Sequence, residues 1–393
     1  MTASTRRAAL TRDELLRRAR DLVPTLRDRA ARAEQLRQVP PETVQDLIAS
    51  GLIRIGNPER YGGHDLEFDT AFEIGWELAR GCGSTAWCYC LWTVHNWWLG
   101  HFPEPAQAEY FASGPDTLFS SGLNSAGGTA TAVADGVRIT GRWPFSSGCD
   151  AASWAMVATA GPAAGDALWH LLPRADFTID DTWYASGMRG SGSKDLVVDD
   201  AFVPSHRTMD PGRAGDGDWT GWQLHRRLSY RLPLRCLTGW DLAAPLVGMA
   251  QGAVDEFTRR LVGTSGAGRT ADSVALQLRL AEASAKVDAA RSLHRSDVRE
   301  MLEKAARGEV FTDLDRARYR RDKAFVARLA VQAVNALFDA GGAHAVLESD
   351  PLQRFHRDVH AASHHAALGW DPVAEQYGRQ ALAASDRPTG GSR

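Results

Sequence analysis

Ser147 is the first side chain whose surroundings suggest chemistry, because it stands between aromatic residues and a glycine in GRWPFSSGCD, residues 141–150. A hydroxyl in such surroundings either forms a turn or contacts a ligand. Serine and glycine are ordinary turn residues, so one interpretation is that Ser146, Ser147 and Gly148 simply close a strand. The other interpretation makes Ser147 a ligand-binding group in an apolar cleft.

His95 is a second candidate, in the segment STAWCYCLWTVHNWWLGHF, residues 84–102. This segment is apolar on nearly every side, which predicts a deeply buried helix. A lone buried histidine is commonly a packing residue with backbone partners. An imidazole that titrates near pH 6.5 could also accept a substrate proton. The neighbouring tryptophans either belong to the core or line an apolar pocket for a flat ligand, and they are Trp87, Trp92, Trp97 and Trp98.

A third group consists of histidines near the C-terminus. His356, His360 and His364 recur every fourth residue, which would align them along one helix face, and His365 follows directly. Two histidines so spaced can bind zinc, but there is no His-Glu-x-x-His motif and no evident third ligand. We therefore predict no metal site. A solvated helix face accounts for His356 and His360.

Composition limits the function classes. The 393 residues are 44% hydrophobic, enough for two or three packed units. Lys and Arg number 45 against 48 Asp and Glu, with no polybasic run, which disfavours nucleic-acid and membrane partners. The five cysteines form no Cys-x-x-Cys pair, which argues against a disulfide framework. The N-terminus lacks an apolar signal core, so we expect a soluble cytoplasmic protein.

The sequence pattern changes twice along the chain. Residues 11–115 have helical periodicity, with Thr11 and Glu14 as a capping box. Short alternating runs separated by Gly, Asp and Pro follow to about residue 207 and indicate a compact β domain. Long helical repeats return after residue 235. We predict a mainly α protein with a central β domain, divided into an N-terminal helical domain (1–116), a middle β domain (117–225) and a C-terminal helical bundle (226–393).

Several segments resemble the acyl-CoA dehydrogenase fold family, in the order in which that family has them. They are PERYGG, ELARGCGSTAW, GMRGSGSKDLVVDDAFVP and GGAHAVLESDPLQRFHRDV. The resemblance implies a β-barrel-like middle domain and a C-terminal four-helix bundle, with flavin held between them, usually in a homotetramer.

One departure directs the functional interpretation. Dehydrogenases of this family carry their catalytic glutamate after an Arg-Asp pair, where this chain reads RDVHAASHHAALGWD and has no carboxylate between Asp358 and Asp371. The chain is similar instead to the monooxygenase branch, the oxygenase components of two-component aromatic hydroxylases, in which WPFSSG and a histidine pair recur. That implies reduced flavin, FMNH2 or FADH2, from a separate NAD(P)H:flavin reductase, with O2 as co-substrate. It also implies a small phenolic or polycyclic aromatic substrate, hydroxylated through a C4a-hydroperoxyflavin.

The resemblance also implies roles for individual residues. Ser147 would lie beside flavin N5, and His364 or His365 would face C4a. His95 would enter the substrate pocket together with Trp92 and Trp98. The other flavin contacts would be Ser121, Trp143, Phe145 and, at the pyrophosphate, Arg269.

The resemblance does not decide between FMN and FAD, because two residues with which the family binds the adenine end of the cofactor are missing. The aromatic residue after Arg269 and the glutamine before Gly341 and Gly342 are both absent. The two glycines also suit a helix C-cap. Alternative functions are oxygenation at nitrogen or sulfur, a dehydrogenase with a displaced base, and a non-catalytic ligand-binding member of the family.

Overall fold

A computed structural model describes residues 10–163, 166–213, 220–263 and 270–385. The α-helices within these ranges are α1 (Arg12–Leu36), α2 (Pro41–Ala49), α3 (Phe68–Ala79), α4 (Gly83–Leu99), α5 (Glu104–Tyr110), α6 (Thr220–His225), α7 (Leu234–Leu237), α8 (Trp240–Gly263), α9 (Val274–Arg307), α10 (Asp313–Ala340), α11 (Pro351–Ser363) and α12 (Trp370–Ser385). The strands are β1 (Phe119–Gly122), β2 (Gly128–Val133), β3 (Gly136–Ser146), β4 (Trp154–Ala160), β5 (Ala167–Pro173), β6 (Thr178–Asp180), β7 (Lys194–Pro204) and β8 (Thr208–Met209). The predicted order of helices, β domain and helices is confirmed.

The N-terminal part is helical from its first described turn. The Thr11 side chain accepts a hydrogen bond from the Glu14 amide and so begins α1. The Glu14 carboxylate binds Arg17 and Arg18, so only half of the predicted capping box forms. The predicted buried helix is α4, where every residue is buried except Leu91, which keeps intermediate exposure.

The middle part contains two four-stranded sheets, in the orders β1-β4-β5-β8 and β2-β3-β7-β6. Strand β1 runs parallel to β4, whereas the other neighbours are antiparallel. Strands β3, β4, β5 and β7 contribute to one shared apolar core, so the two sheets pack against each other. Its members include Ile139, Trp143, Ala155, Val157, Leu172, Leu196 and Val198.

The C-terminal helices pack around α10, which contacts α8, α9, α11 and α12. Gly341 ends α10, and Gly342 follows with φ +64°. Helix α4 lies where the three parts meet, because it contacts α3, α8, α11, β1 and the turn Arg189–Ser191. The side chains of α4 can therefore face both the β domain and the bundle. No helix in the described ranges is long and apolar enough to cross a membrane.

His294 on α9 gives the bundle a pH-dependent stability. Its buried ring has edge contacts with Phe72, Trp76 and Trp240, and burial lowers its pKa to about 4. An unfolded histidine titrates near pH 6.5, so the unfolded chain binds this proton first, and stability falls as the pH drops from 6.5 towards 4. At pH 5, one such histidine lowers the free energy of unfolding by about 2 kcal/mol.

Urea unfolding of a His294→Phe variant at pH 7.5 and pH 5 checks this prediction. The variant should lose that part of the pH dependence. The same change at the exposed His344 should leave the dependence unaltered. Equal pH dependence in the parent and in His294→Phe would contradict the prediction.

Candidate active site

One face of α4 carries the candidate site. Trp87, Leu91 and His95 follow one another at intervals of four residues, so they share a side of the helix. Leu91 is partly exposed although the rest of the helix is buried. Solvent therefore reaches α4 at Leu91, between the buried Trp87 and His95.

His95 makes two hydrogen bonds to residues of β1. Its Nδ1 lies 2.8 Å from the carbonyl oxygen of Phe119, and its Nε2 lies 3.0 Å from the Ser121 hydroxyl. A carbonyl only accepts, so Nδ1 carries the hydrogen when the ring is neutral, and Nε2 accepts from Ser121. The tautomer is thus set by the β1 backbone, and Ser121 is partly exposed.

Aromatic rings surround this pair. His95 stacks on Phe119 with centroids 4.8 Å apart and lies 5.0 Å from Trp98, which itself lies 4.9 Å from Trp169. Burial lowers the pKa of His95 to about 4. The value near 6.5 expected from sequence is therefore wrong for this ring, because transfer from water disfavours the imidazolium.

Ser147 directly follows β3 and is bound from two sides. The Trp87 Nε1–H donates to its hydroxyl oxygen over 3.1 Å, and the Ser193 hydroxyl lies 2.7 Å from it. The chain approaches α4 closely here because Gly148 has φ +69°, and a Cβ on it would lie only 2.7 Å from the indole nitrogen of Trp92. Trp92 therefore packs on the backbone beside Ser147.

The end of β3 is irregular, and this irregularity exposes Phe145. A register shift separates Trp143 from Ser146, and Phe145 has φ +66°, a left-handed conformation that is rare for an aromatic residue. The Phe145 ring is 69% exposed and makes an edge contact with Trp183. Trp143 instead lies inside the β core, where its indole donates to the Ala158 carbonyl.

His364 and His365 follow α11 and differ in surroundings. Both residues are exposed, but the His365 ring lies 5.8 Å from the Trp87 ring, whereas the His364 ring bonds back to the His360 carbonyl. Burial first, and the charge of Lys323 second, lower the pKa of His365 to about 4. Its side chain is nevertheless accessible to solvent. Both properties fit a side chain on the wall of a cleft.

Trp87 links two of the predicted site residues, since it contacts both Ser147 and His365. His95 and Ser121 form a second pair, about 12 Å further along α4 at 1.5 Å per residue. Arg269 lies outside the described residues. In the described ranges, no group of three or more His, Cys, Asp or Glu side chains is placed to hold a metal ion.

Sequence reasoning missed the direct partners of these residues. Trp87 was considered only as a general pocket or core residue, and Ser193 was not considered. A signal for Ser193 existed in the matched segment GMRGSGSKD, where it follows Ser191 after one glycine. The link from Trp87 to Ser147 joins residues 60 positions apart, and no local pattern predicts it.

Comparisons with known proteins agree with this geometry. The sequence model for the acyl-CoA dehydrogenase N-terminal domain matches residues 11–113, and the model for the C-terminal domain matches residues 241–370. The oxygenase subunit HsaA of a flavin-dependent monooxygenase from Rhodococcus jostii is 36% identical, over 91% of this chain and 95% of the relative. The oxygenase component of an FADH(2)-dependent resorcinol hydroxylase from Rhizobium sp. is 34% identical, over 94% of each chain.

Solved structures show the same relationship. The 3-HSA hydroxylase from Rhodococcus sp. RHA1 superimposes with a TM-score of 0.91 at 33% identity, over 95% of this chain and 98% of that chain. XiaF from Streptomyces sp., solved in complex with FADH2 and glycerol, gives 0.86 at 28% identity, over 95% and 96% of the two chains.

The fold and the matched domains define a member of the acyl-CoA dehydrogenase family. Within that family, the chain belongs with the oxygenase components of flavin-dependent monooxygenases that act on aromatic substrates. It is therefore an oxidoreductase that depends on flavin.

Proposed function

We propose that this chain is the oxygenase component of a two-component hydroxylase that inserts one oxygen atom of O2 into a phenolic substrate. A separate NAD(P)H:flavin reductase would supply the reduced flavin. The observation that supports this most is the hydrogen bond between the buried His95 and the partly exposed Ser121, on the same helix face as the Trp87 that binds Ser147. Such a pocket has the apolar walls and the single polar contact that a phenol needs.

The residues beside Ser147 fit a flavin ring. Phe145 offers an exposed aromatic face, and Ser147 offers a hydroxyl to the polar edge of a flat ligand. Because several hydrogen bonds and a strained backbone fix these groups, the surface is preorganised. When bound, reduced flavin supplies the electrons that activate O2. Ser147 would hold the proton at N5, and the apolar walls would exclude water, which otherwise favours release of hydrogen peroxide.

His95 orients the substrate through Ser121. An ordinary phenol has a pKa of about 10, so complete proton transfer to an imidazole of pKa about 4 is uphill by about 8 kcal/mol. His95 instead accepts the Ser121 hydrogen and so turns the Ser121 lone pairs towards the substrate. The Ser121 oxygen then accepts the phenol hydrogen, which raises electron density on the ring carbon that is oxygenated.

Of the two neighbouring histidines, His365 is the one we place at the flavin. A His365→Asn variant should yield about tenfold less hydroxylated product per reduced flavin, because a positioned hydrogen-bonding group beside the reacting oxygen is lost. Product and peroxide are quantified after single additions of reduced flavin. His364→Asn is the matched control and should retain the parent yield. A larger loss in the control than in His365→Asn would reverse the assignment.

We also propose a homotetramer. Apolar side chains are exposed at the end of α8, the start of α9 and the turn after α10, and they include Val262, Val274, Leu278, Val346 and Leu347. Large apolar side chains that are exposed in one chain become buried where subunits pack together. Light scattering of the purified protein should give four times the 42.7 kDa of one chain, and a mass of one chain would contradict the proposal.

The choice between FMN and FAD is open to a direct titration. The isoalloxazine contacts proposed for Phe145, Ser147 and His365 are common to both cofactors. Comparison of the dissociation constants of FMNH2 and FADH2 under anaerobic conditions shows which cofactor the chain prefers.

A further inference from the structure

Three serine hydroxyls form a continuous buried chain behind the proposed flavin position. Ser147 follows β3, Ser191 closes the turn Arg189–Ser191, and Ser193 directly precedes β7. The Ser147 and Ser193 hydroxyl oxygens lie 2.7 Å apart, and those of Ser193 and Ser191 also lie 2.7 Å apart. Each of the three residues is less than a tenth exposed. The three linked hydroxyls therefore lie inside the protein.

Trp87 restricts the hydrogen bonds that Ser147 can make to a ligand. A hydroxyl has one hydrogen to donate and two lone pairs, and the indole nitrogen of Trp87 can only donate. One lone pair of Ser147 is therefore always occupied. One hydrogen and one lone pair remain, and Ser193 uses one of these two.

Two arrangements of the hydroxyl hydrogens follow. If Ser193 donates to Ser147, both lone pairs of Ser147 are filled, and Ser147 can only donate to a ligand. If Ser147 donates to Ser193, and Ser193 donates to Ser191, Ser147 keeps one lone pair and can only accept. Rotation of hydroxyl hydrogens converts one arrangement into the other without movement of heavier atoms.

The backbone around these serines is fixed, which keeps the distances constant in both arrangements. The Gly148 amide donates to the Ser191 carbonyl over 2.8 Å, and the buried Lys194 ammonium binds Asp150 over 2.8 Å. The Met188 amide, at the start of the same turn, donates to the buried Asp358 carboxylate over 2.6 Å.

We propose that Ser193 and Ser191 are positioning residues that let Ser147 match flavin in both redox states. This inference rests on the proposed function, which places Ser147 beside N5. Reduced flavin carries a hydrogen on N5 and needs an acceptor, whereas oxidised flavin has a bare N5 and needs a donor. In the second arrangement, Ser147 donates to Ser193 and Ser193 donates to Ser191, so Ser147 can accept the N5 hydrogen of reduced flavin. Reduced flavin is the form that the oxygenase must receive.

Ser191→Ala and Ser193→Ala test this inference without any change to Ser147. In Ser191→Ala, Ser147 is the one remaining hydrogen-bond partner of the Ser193 hydroxyl among the described residues, so Ser193 donates to Ser147 and Ser147 becomes a donor. In Ser193→Ala, both the hydrogen and the second lone pair of Ser147 become free for a ligand, so Ser147 can still either donate or accept. Ser191→Ala should therefore weaken binding of reduced flavin relative to oxidised flavin by about fivefold, the effect of one neutral hydrogen bond, whereas Ser193→Ala should keep a ratio near that of the parent.

The measurement is the pair of dissociation constants for oxidised and anaerobically reduced flavin, from fluorescence titrations of each folded variant. Ser193→Thr keeps a hydroxyl and should retain the parent ratio of the two constants. Ser146→Ala is the matched control, because the buried Ser146 hydroxyl has no hydrogen-bond partner among the described residues. Its ratio should also stay at the parent value.

The outcomes separate the inference from the proposed function. An unchanged ratio in Ser191→Ala, or equal weakening of both redox forms in that variant, overturns the hydroxyl chain while the function stands. Failure of the parent protein to bind reduced flavin at all overturns the proposed function instead. If Ser193→Ala does not fold, Ser191→Ala alone decides.

Discussion

A His95→Ala variant is expected to hydroxylate its phenolic substrate about a hundredfold more slowly than the parent, with flavin binding unchanged. The reason is geometric. Without the ring, the Ser121 hydroxyl loses the Nε2 partner 3.0 Å away that orients it, and misplacement of a reacting group by about 1 Å costs on this order. Initial rates of product formation, measured at saturating reduced flavin, check the prediction.

Ser121→Ala should give a loss of similar size, and the double variant should lose little more, because the two residues act as one unit. The pH profile adds a second test. Since the pKa of His95 is about 4, the parent rate should show no inflection from this ring near pH 6.5. Full turnover in His95→Ala would contradict phenol orientation and favour oxygenation at nitrogen or sulfur.

The second large effect is expected in Ser147→Ala. Reduced flavin should still be consumed, but hydroxylated product per flavin should fall about tenfold, with hydrogen peroxide making up the difference. The physical reason is the loss of the one hydroxyl proposed to hold the N5 proton, at a position where water must be kept from the flavin. Product and peroxide are measured in the same reaction, so their sum accounts for all the flavin used.

Two further variants, Trp87→Phe and Ser146→Ala, are compared with Ser147→Ala. Trp87→Phe retains a ring beside His365 but removes the hydrogen bond to Ser147, so its product yield should lie between those of the parent and Ser147→Ala. Ser146→Ala should match the parent. A Ser147→Ala enzyme that couples as well as the parent would remove Ser147 from the mechanism.

Much of the fold was predictable because local signals agree with it. The apolar run that became α4 has too few polar residues for any exposed helix, and α10 ends at Gly341 as the glycine pair predicts. The alternating short runs in the middle of the chain correspond to β1–β8. Domain boundaries at residues 116 and 225 remain predictions.

The residue types of the candidate site could be predicted from the sequence, but their arrangement and environment could not. Adjacent histidines look alike in sequence, and only the conformation at the end of α11 places His365 beside Trp87 and bonds His364 to the His360 carbonyl. The lowered pKa of His95 depends on burial by residues distant in sequence, such as Phe119. The exposure of Phe145 depends on a register shift between β3 and β7, which no alternation pattern specifies.

The central claim is that the cleft along α4 brings reduced flavin and a phenol together so that oxygen from O2 enters the substrate. Incubation of the purified chain with chemically reduced flavin, phenols and ¹⁸O2, followed by mass spectrometry, tests it most directly. We expect a product with one ¹⁸O atom that requires reduced flavin and forms about a hundredfold more slowly in His95→Ala. A product without the label, or label incorporated without reduced flavin, would contradict it.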